Sequence, residues 1–197
     1  MAPPRMALVN AARRGAPGRI RIIAGSLRNS RLDVADVPGL RPTAERLRET
    51  LFNWLAPSIE GARVLDLCAG TGALGIEALS RGAASVQFVE REARVARAIE
   101  QNLARLKQTG GAVAALDAQV FLRGTARQYD LVLLDPPFAL GLWDALAQQL
   151  EQGGWLSTAA WIYVESPRAP TPALPANWRL QRESHAGDAR GALYRRG

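Results

Sequence analysis

The chain has 197 residues, 48% of them hydrophobic and 22% charged, with 25 Lys+Arg against 18 Asp+Glu for a formal net charge of +7. That composition gives a globular chain with ample material for one core, and it excludes both disorder and a membrane span, which needs roughly 20 consecutive apolar residues. One Cys and one His exclude an internal disulfide and a Cys/His zinc site. The Arg-rich start lacks the apolar stretch of a secretory signal, so a soluble, cytoplasmic, metal-independent protein is expected.

The charge is uneven. Residues 1–50 hold 10 basic and 4 acidic side chains, residues 51–150 hold 9 and 10, and residues 151–197 hold 6 and 4. The excess sits at the start of the chain, either as a solvated tail or as a footprint for phosphate backbone. Residues 1–18, rich in Pro, Gly, Ala and Arg, read as a flexible basic arm. In Arg19–Gly25 (RIRIIAG), basic and apolar residues alternate as in a half-exposed strand, and Arg31–Val34 can return as its partner across a Gly/Asn/Ser turn. Pro42-Thr43 opens a helix that Thr43 can cap, with Leu47, Leu51, Trp54 and Leu55 at helical spacing and Pro57 as its stop. Residues 19–57 are thus expected to form a small β-ribbon and helix extension.

From residue 58 to 197 the pattern becomes a regular alternation. Strands are expected at Ala62–Leu67, Ser85–Glu90, Ala112–Leu116, Asp130–Leu134 and Ala159–Glu165. Helices are expected at Ala73–Ser80, Glu92–Leu106, Ala118–Thr125 and Leu142–Leu150. Trp178–Arg182 and Ala192–Arg195 can close the sheet as an antiparallel pair around a His185–Gly191 loop. Such alternation predicts an α/β fold, a mostly parallel central sheet with helices on both faces. Of the five tryptophans, most fall within apolar stretches and read as core; Trp143, five residues after Phe138, is the one near candidate chemistry.

Two turns carry that chemistry. The first, Asp66–Gly75 (DLCAGTGALG), contains a G-x-G-x-x-G spacing between a strand and a helix, with Glu90 20 residues past Gly70. This outline fits a nicotinamide dinucleotide as well as S-adenosylmethionine. Charge separates the two: a carboxylate at Asp66 repels a pyrophosphate but attracts a sulfonium and an ammonium. Glu90 can accept both ribose hydroxyls in either case, and Cys68 reads as a small turn residue without a basic neighbour to activate it. The second turn is Asp135-Pro136-Pro137-Phe138, directly after an apolar strand. Two prolines remove two backbone donors and stiffen the loop, leaving the Pro136 and Pro137 carbonyls directed outward. Asp135 and the Pro136 carbonyl can accept both hydrogens of an exocyclic amine, and Phe138 can stack on the base that bears it. Such an amine is a poor nucleophile, so rate must come from positioning and charge stabilisation.

Together these motifs resemble the adenosylmethionine-dependent amino-methyltransferases. Their order along the chain, with Arg41-Pro42-Thr43 running into Leu51–Leu55 (LFNWL) and Tyr163-Val164-Glu165 later, is similar to the bacterial RsmD family over roughly residues 19–197. The resemblance implies a Rossmann-like class I methyltransferase that modifies guanine N2 in small-subunit (16S) ribosomal RNA. It also implies S-adenosyl-L-methionine as cofactor, RNA within a small-subunit particle as partner, no membrane, and no need for more than a monomer. On matching positions, Asp66, Ala69, Gly70 and Gly72 would line the methionine end of the cofactor. Glu90 and Arg91 would meet its ribose, and Asp117-Ala118 its adenine. Asp135, Pro136, Pro137 and Phe138 would hold the target amine. Arg41, Pro42 and Thr43 would border the methyl-transfer pocket, Arg46 and Arg48 would face RNA or support the site, and Arg19, Arg21, Arg28 and Arg31 would grip RNA. Where the family often has a Gly-Gln-type loop, this chain has His185-Ala186-Gly187-Asp188, with His185 expected as a loop residue rather than a base. An adenine-N6 methyltransferase is the alternative enzyme, a non-catalytic RNA-binding module the alternative class. Loss of residues 1–34 is expected to weaken RNA binding and spare cofactor binding.

Overall fold

A computed structural model describes residues 19–37 and 44–197; the expected arm at 1–18 and the residues Arg41, Pro42 and Thr43 lie outside that range. A seven-stranded sheet carries the fold. Strands β3 (Arg63–Asp66), β4 (Ser85–Val89), β5 (Gly111–Ala114), β6 (Tyr129–Leu134) and β7 (Leu156–Pro167) run parallel, and β8 (Trp178–Ala186) and β9 (Ala189–Arg196) complete it antiparallel in the order β5-β4-β3-β6-β7-β9-β8. The expected alternation is therefore what forms.

Each inner strand is apolar on both faces, and the period of two sends alternate residues to opposite layers. Val64, Phe88, Leu131 and Leu133 pack with Leu51 and Phe52 of α1 (Glu45–Leu55), Ile76 of α2 (Ala73–Ser80) and Ile99 of α3 (Ala93–Arg105). Leu65, Val132, Leu134 and Ile162 pack with Leu146 and Leu150 of α5 (Trp143–Gln152), on the side that also carries α4 (Ala118–Phe121). The chain runs from β3 outward through β4 and β5, then returns to β6 on the other flank of β3. The ends of β3 and β6 thus bound the crevice where the strand order reverses, the usual ligand site of such sheets. Among the described residues no helix is long and apolar enough to cross a membrane.

The N-terminal strands β1 (Arg19–Arg21) and β2 (Arg31–Asp33) pair antiparallel, as expected, and the segment around them is tied to the helices of the sheet. The Glu77 carboxylate of α2, fully out of water, accepts from the backbone N–H groups of Ile23 and Ala24 at 2.9 and 3.0 Å, and from Arg48 and Arg81 at 3.1 and 2.9 Å. Ser26 N–H reaches the Ser80 carbonyl at 2.7 Å, and a Cβ on Gly25 would fall 1.8 Å from that oxygen, so only glycine lets the segment lie on α2. On α3, the Asn102 amide exchanges two hydrogen bonds with the Asp33 backbone, at 3.1 and 2.9 Å. Residues 22–33 thus supply donors to a buried carboxylate and cover two helices, which bears on the expectation that loss of residues 1–34 spares cofactor binding.

Smaller differences have local causes. The N-cap of α1 is Ala44. Helix α4 ends at Phe121, four residues early, and β5 ends at Ala114, leaving Leu116 exposed. The expected His185–Gly191 loop shrinks to a Gly187-Asp188 turn, since β8 and β9 pair as far as Ala186 and Ala189; His185 is a strand residue. Arg48 is 1% exposed and so cannot face RNA.

Candidate active site

The first wall of the crevice is the turn from β3 into α2. Gly72, at φ 73°, is the N-cap of α2 and turns the chain with a conformation that other residues resist. Gly75 is glycine for a different reason: a Cβ there would meet Phe88 at 2.2 Å, so α2 can sit directly on β4. Asp66 ends β3 beneath this turn, 1% exposed, and its Oδ2 accepts the Gly75 N–H at 3.0 Å. Burial pushes the Asp66 carboxyl up to about 7; the Gly75 N–H pulls the other way, and the charge of Glu90 adds to the rise.

The second wall comes from β4 and β5. Glu90, just past β4, accepts Gly70 N–H at 2.9 Å and Glu92 N–H at 2.8 Å, one on each oxygen, which locks the carboxylate against the glycine turn. Asp117 caps α4 through Oδ1, accepting from Gln119 and Val120 N–H at 2.9 and 3.3 Å. Ala69 and Ala118 are buried beside these groups and Arg91 is exposed.

The third wall follows β6. Asp135 is half-buried, Pro136 buried, and Pro137 and Phe138 exposed, Phe138 by 40%. Pro137 does not keep its carbonyl outward: it accepts Leu140 N–H at 2.9 Å, closing the short 3-10 turn Phe138–Leu140. Among the described residues the Pro136 carbonyl takes no such bond. Trp143 anchors the loop from behind. Its ring lies 5.7 Å from that of Phe138 at 60°, and its Nε1 donates to the Glu165 carbonyl at 2.7 Å. It is 7% exposed and part of the core, where Trp155 and Trp178 also lie as expected.

Cys68 marks where the walls meet. Its thiol is pushed far up, first by burial, then by the negative charges of Asp135, Asp66, Glu90 and Asp117. Four of the carboxylates singled out in the sequence are therefore close enough to act on the same thiol. Such a concentration of acidic groups suits a sulfonium and an ammonium better than a pyrophosphate. The donor set fits S-adenosylmethionine: the Ala69–Gly72 turn and Asp66 would hold its methionine end, Glu90 its ribose, and Asp117-Ala118 its adenine.

The arginines expected to meet RNA are at the surface. Arg19, Arg21, Arg28, Arg31 and Arg46 are all exposed. Arg21 pairs with Glu45 at 2.8 Å and Arg19 approaches Asp33 at 3.9 Å, so part of the charge is internally compensated. The register sets Arg21 opposite Arg31, an arrangement of like charges that costs energy until an anion binds.

Two groups escaped the sequence reading. Glu77 has one signal in hindsight: it is the sole charge in ALGIEALS, a helix buried at every position. Tyr163 and Glu165 were visible as a motif without a role. Tyr163, 1% exposed, donates to Glu165 Oε2 at 3.0 Å, and Glu165 is 6% exposed with its carboxyl raised to about 7 by burial.

The fold and the crevice define a Rossmann-like methyltransferase. The family described as Conserved hypothetical protein 95 matches residues 20–195. The chain is 48% identical over 180 residues to Ribosomal RNA small subunit methyltransferase D of Escherichia coli (strain K12), spanning 91% of each, and 40% identical to the protein of that name in Haemophilus influenzae, spanning 91% of this chain and 95% of the relative. Among solved structures it is similar to the putative methyltransferase yhhF from Escherichia coli, with a TM-score of 0.85 and 45% identity over 91% of this chain and 98% of that one. The chain belongs to the RsmD family.

Proposed function

We propose that this chain transfers a methyl group from S-adenosyl-L-methionine to the exocyclic N2 amine of a guanine in small-subunit ribosomal RNA. It would act as a cytoplasmic monomer on a small-subunit particle. The observation that carries the reading is the set of carboxylates held at the strand ends, Asp66 on Gly75 N–H, Glu90 on Gly70 N–H and Asp117 on Gln119 N–H, beside the Asp135–Pro136 rim with its exposed aromatic. The relatives named for ribosomal RNA support the substrate.

When bound, S-adenosylmethionine supplies an electrophilic methyl group on its sulfonium. The chain's own residues then do three things. Asp135 and the Pro136 carbonyl accept the two amine hydrogens, which turns the nitrogen lone pair toward that methyl group. Phe138 stacks on the base, unstacked from its RNA. As the nitrogen gains its new bond it becomes cationic, and the adjacent Asp135 carboxylate stabilises that charge and receives the surplus proton. Arg28, Arg31 and Arg46 hold the phosphate backbone outside the pocket.

The test is direct. Purified protein is incubated with labelled S-adenosylmethionine and small-subunit particles, or the naked RNA, from cells lacking the enzyme, and the labelled nucleoside is mapped. N2-methylguanosine at one position is expected. Label on adenine, or on DNA in preference to RNA, would overturn the reading.

A further inference from the structure

Glu165 is an odd residue to bury. It lies on β7, one step past Val164, and Asp135 lies one step past Leu134, the residue that Val164 pairs with. The two residues thus stand at matching positions just along neighbouring chains, whose backbones ordinary strand spacing sets roughly 5 Å apart. Glu165 is tied on both sides. Its backbone carbonyl holds Trp143, whose ring packs on Phe138, so the height of Glu165 in the crevice is fixed relative to the stacking aromatic. Its Oε2 is occupied by the Tyr163 hydroxyl, and Oε1 accepts no hydrogen bond among the described residues. Opposite, β9 places Gly191 against Glu165, and a Cβ there would fall 2.5 Å from the Tyr163 hydroxyl oxygen, so the strand leaves room for the Tyr163–Glu165 pair. A carboxylate with one oxygen oriented by a hydroxyl keeps the other able to accept a further donor.

Guanine supplies that donor. Its N1–H lies beside the N2 amine on the same edge, whereas adenine presents at N1 a lone pair that a carboxylate repels. We propose that Glu165 is the specificity-determining residue for the base: Oε1 accepts guanine N1–H while Asp135 and the Pro136 carbonyl hold the N2 amine. Tyr163 is the positioning residue that fixes Oε2 and so turns Oε1 to the pocket. This rests on the guanine-N2 reading and goes beyond it, by saying what in this chain makes the base a guanine.

The experiment uses full-length protein and RNAs in which the mapped guanosine is replaced by 2-aminopurine, which keeps the N2 amine and offers a lone pair at N1. Wild-type protein is expected to favour guanine by about 100-fold or more in kcat/KM, since a site built to hydrogen-bond a group rejects the analogue lacking it. In Glu165→Gln, whose amide can turn to donate, guanine falls by about tenfold to 100-fold while 2-aminopurine holds or rises, so the preference collapses. Tyr163→Phe keeps the carboxylate and retains a preference for guanine at lower kcat/KM. Equal losses on both bases in Glu165→Gln would overturn the proposal. If that variant does not melt cooperatively, the wild-type ratio decides: a preference of 100-fold supports it and a ratio near one overturns it. Label mapping to adenine would overturn the guanine reading and this proposal together, whereas label on guanine with a flat ratio overturns this proposal alone.

Discussion

The Arg48 guanidinium donates to the Glu77 carboxylate across 3.1 Å, with side chains 1% and 0% exposed, and joins α1 to α2 beneath the N-terminal strands. Burial holds the Arg48 pKa below its ordinary value, against the pull of Glu77. Removing one member of such a pair strands the other charge in the interior. Glu77→Ala is expected to cost about 3–5 kcal/mol, more than Arg48→Met. The asymmetry has a structural cause: Glu77 also satisfies the amides of Ile23 and Ala24, while Glu77 without Arg48 keeps those two and Arg81. Urea unfolding of the two variants checks the order, and a Glu77→Ala protein as stable as wild type would refute the role assigned to the pair.

The same contact places the boundary for truncation. A chain starting at residue 19 keeps all four Glu77 donors and is expected to melt within about 1 kcal/mol of the full chain. It loses Arg5, Arg13 and Arg14, so RNA affinity should fall while cofactor affinity holds. A chain starting at residue 35 loses the Ile23 and Ala24 amides, uncovers Asn102 and Ser80, and is expected not to fold. Calorimetry on both, with a cofactor titration of the longer one, separates these outcomes. A folded, cofactor-binding chain from residue 35 would show that the hairpin is an appendage.

How far the sequence foretold this molecule follows from where each signal resides. The βαβ order, the Gly72 turn and the Asp135–Phe138 loop were legible because period, turn chemistry and rigidity are local properties. The Glu77 hub was not, because only Arg81 stands at helical spacing while Arg48, Ile23 and Ala24 lie 29, 54 and 53 residues away, where no spacing encodes them. The Pro137 carbonyl was read as outward because the sequence does not reveal that the next three residues curl back to bond it. Glu165 was visible as part of a motif, but its meaning depends on Tyr163 and Trp143 meeting it from a strand and a helix.

Asp66 predicts opposite trends for stability and binding. Its folded pKa is about 7 against an ordinary 3.8, so the native state binds the proton more tightly than the unfolded chain does. Between pH 4 and 7 this group therefore makes the fold less stable as pH rises, with no further change above about 7. Cofactor binding runs the other way, since only the ionised carboxylate attracts the ammonium, and affinity should drop as pH falls through 7. Glu90 is the neighbouring charge that adds to the rise. Asp66→Asn keeps an acceptor for Gly75 N–H and removes the buried charge. It should melt at or above the wild-type temperature, bind cofactor about tenfold or more weakly, and lose the pH dependence near 7. Calorimetric titration from pH 6 to 8 tests this, and an Asn variant with wild-type affinity would mean that Asp66 serves the turn alone.

The proposed RNA face is testable by salt. Arg28, Arg31 and Arg46 are exposed, and among the described residues none of the three has an ion pair, whereas Arg21 holds Glu45 at 2.8 Å. Replacing an unpaired arginine that meets phosphate should weaken binding at all sequences and reduce the slope of log K against log salt by about 0.7–0.9. The triple replacement with Ala should therefore lower the slope by about 2–3 and leave cofactor affinity unchanged. Arg21→Ala should do less, since its charge is already spent on Glu45 and its loss relieves the repulsion from Arg31 across the strands. Filter binding to the RNA from 50 to about 200 mM salt gives the slopes. An unchanged slope in the triple variant would move the RNA contact off this hairpin and onto another face of the domain.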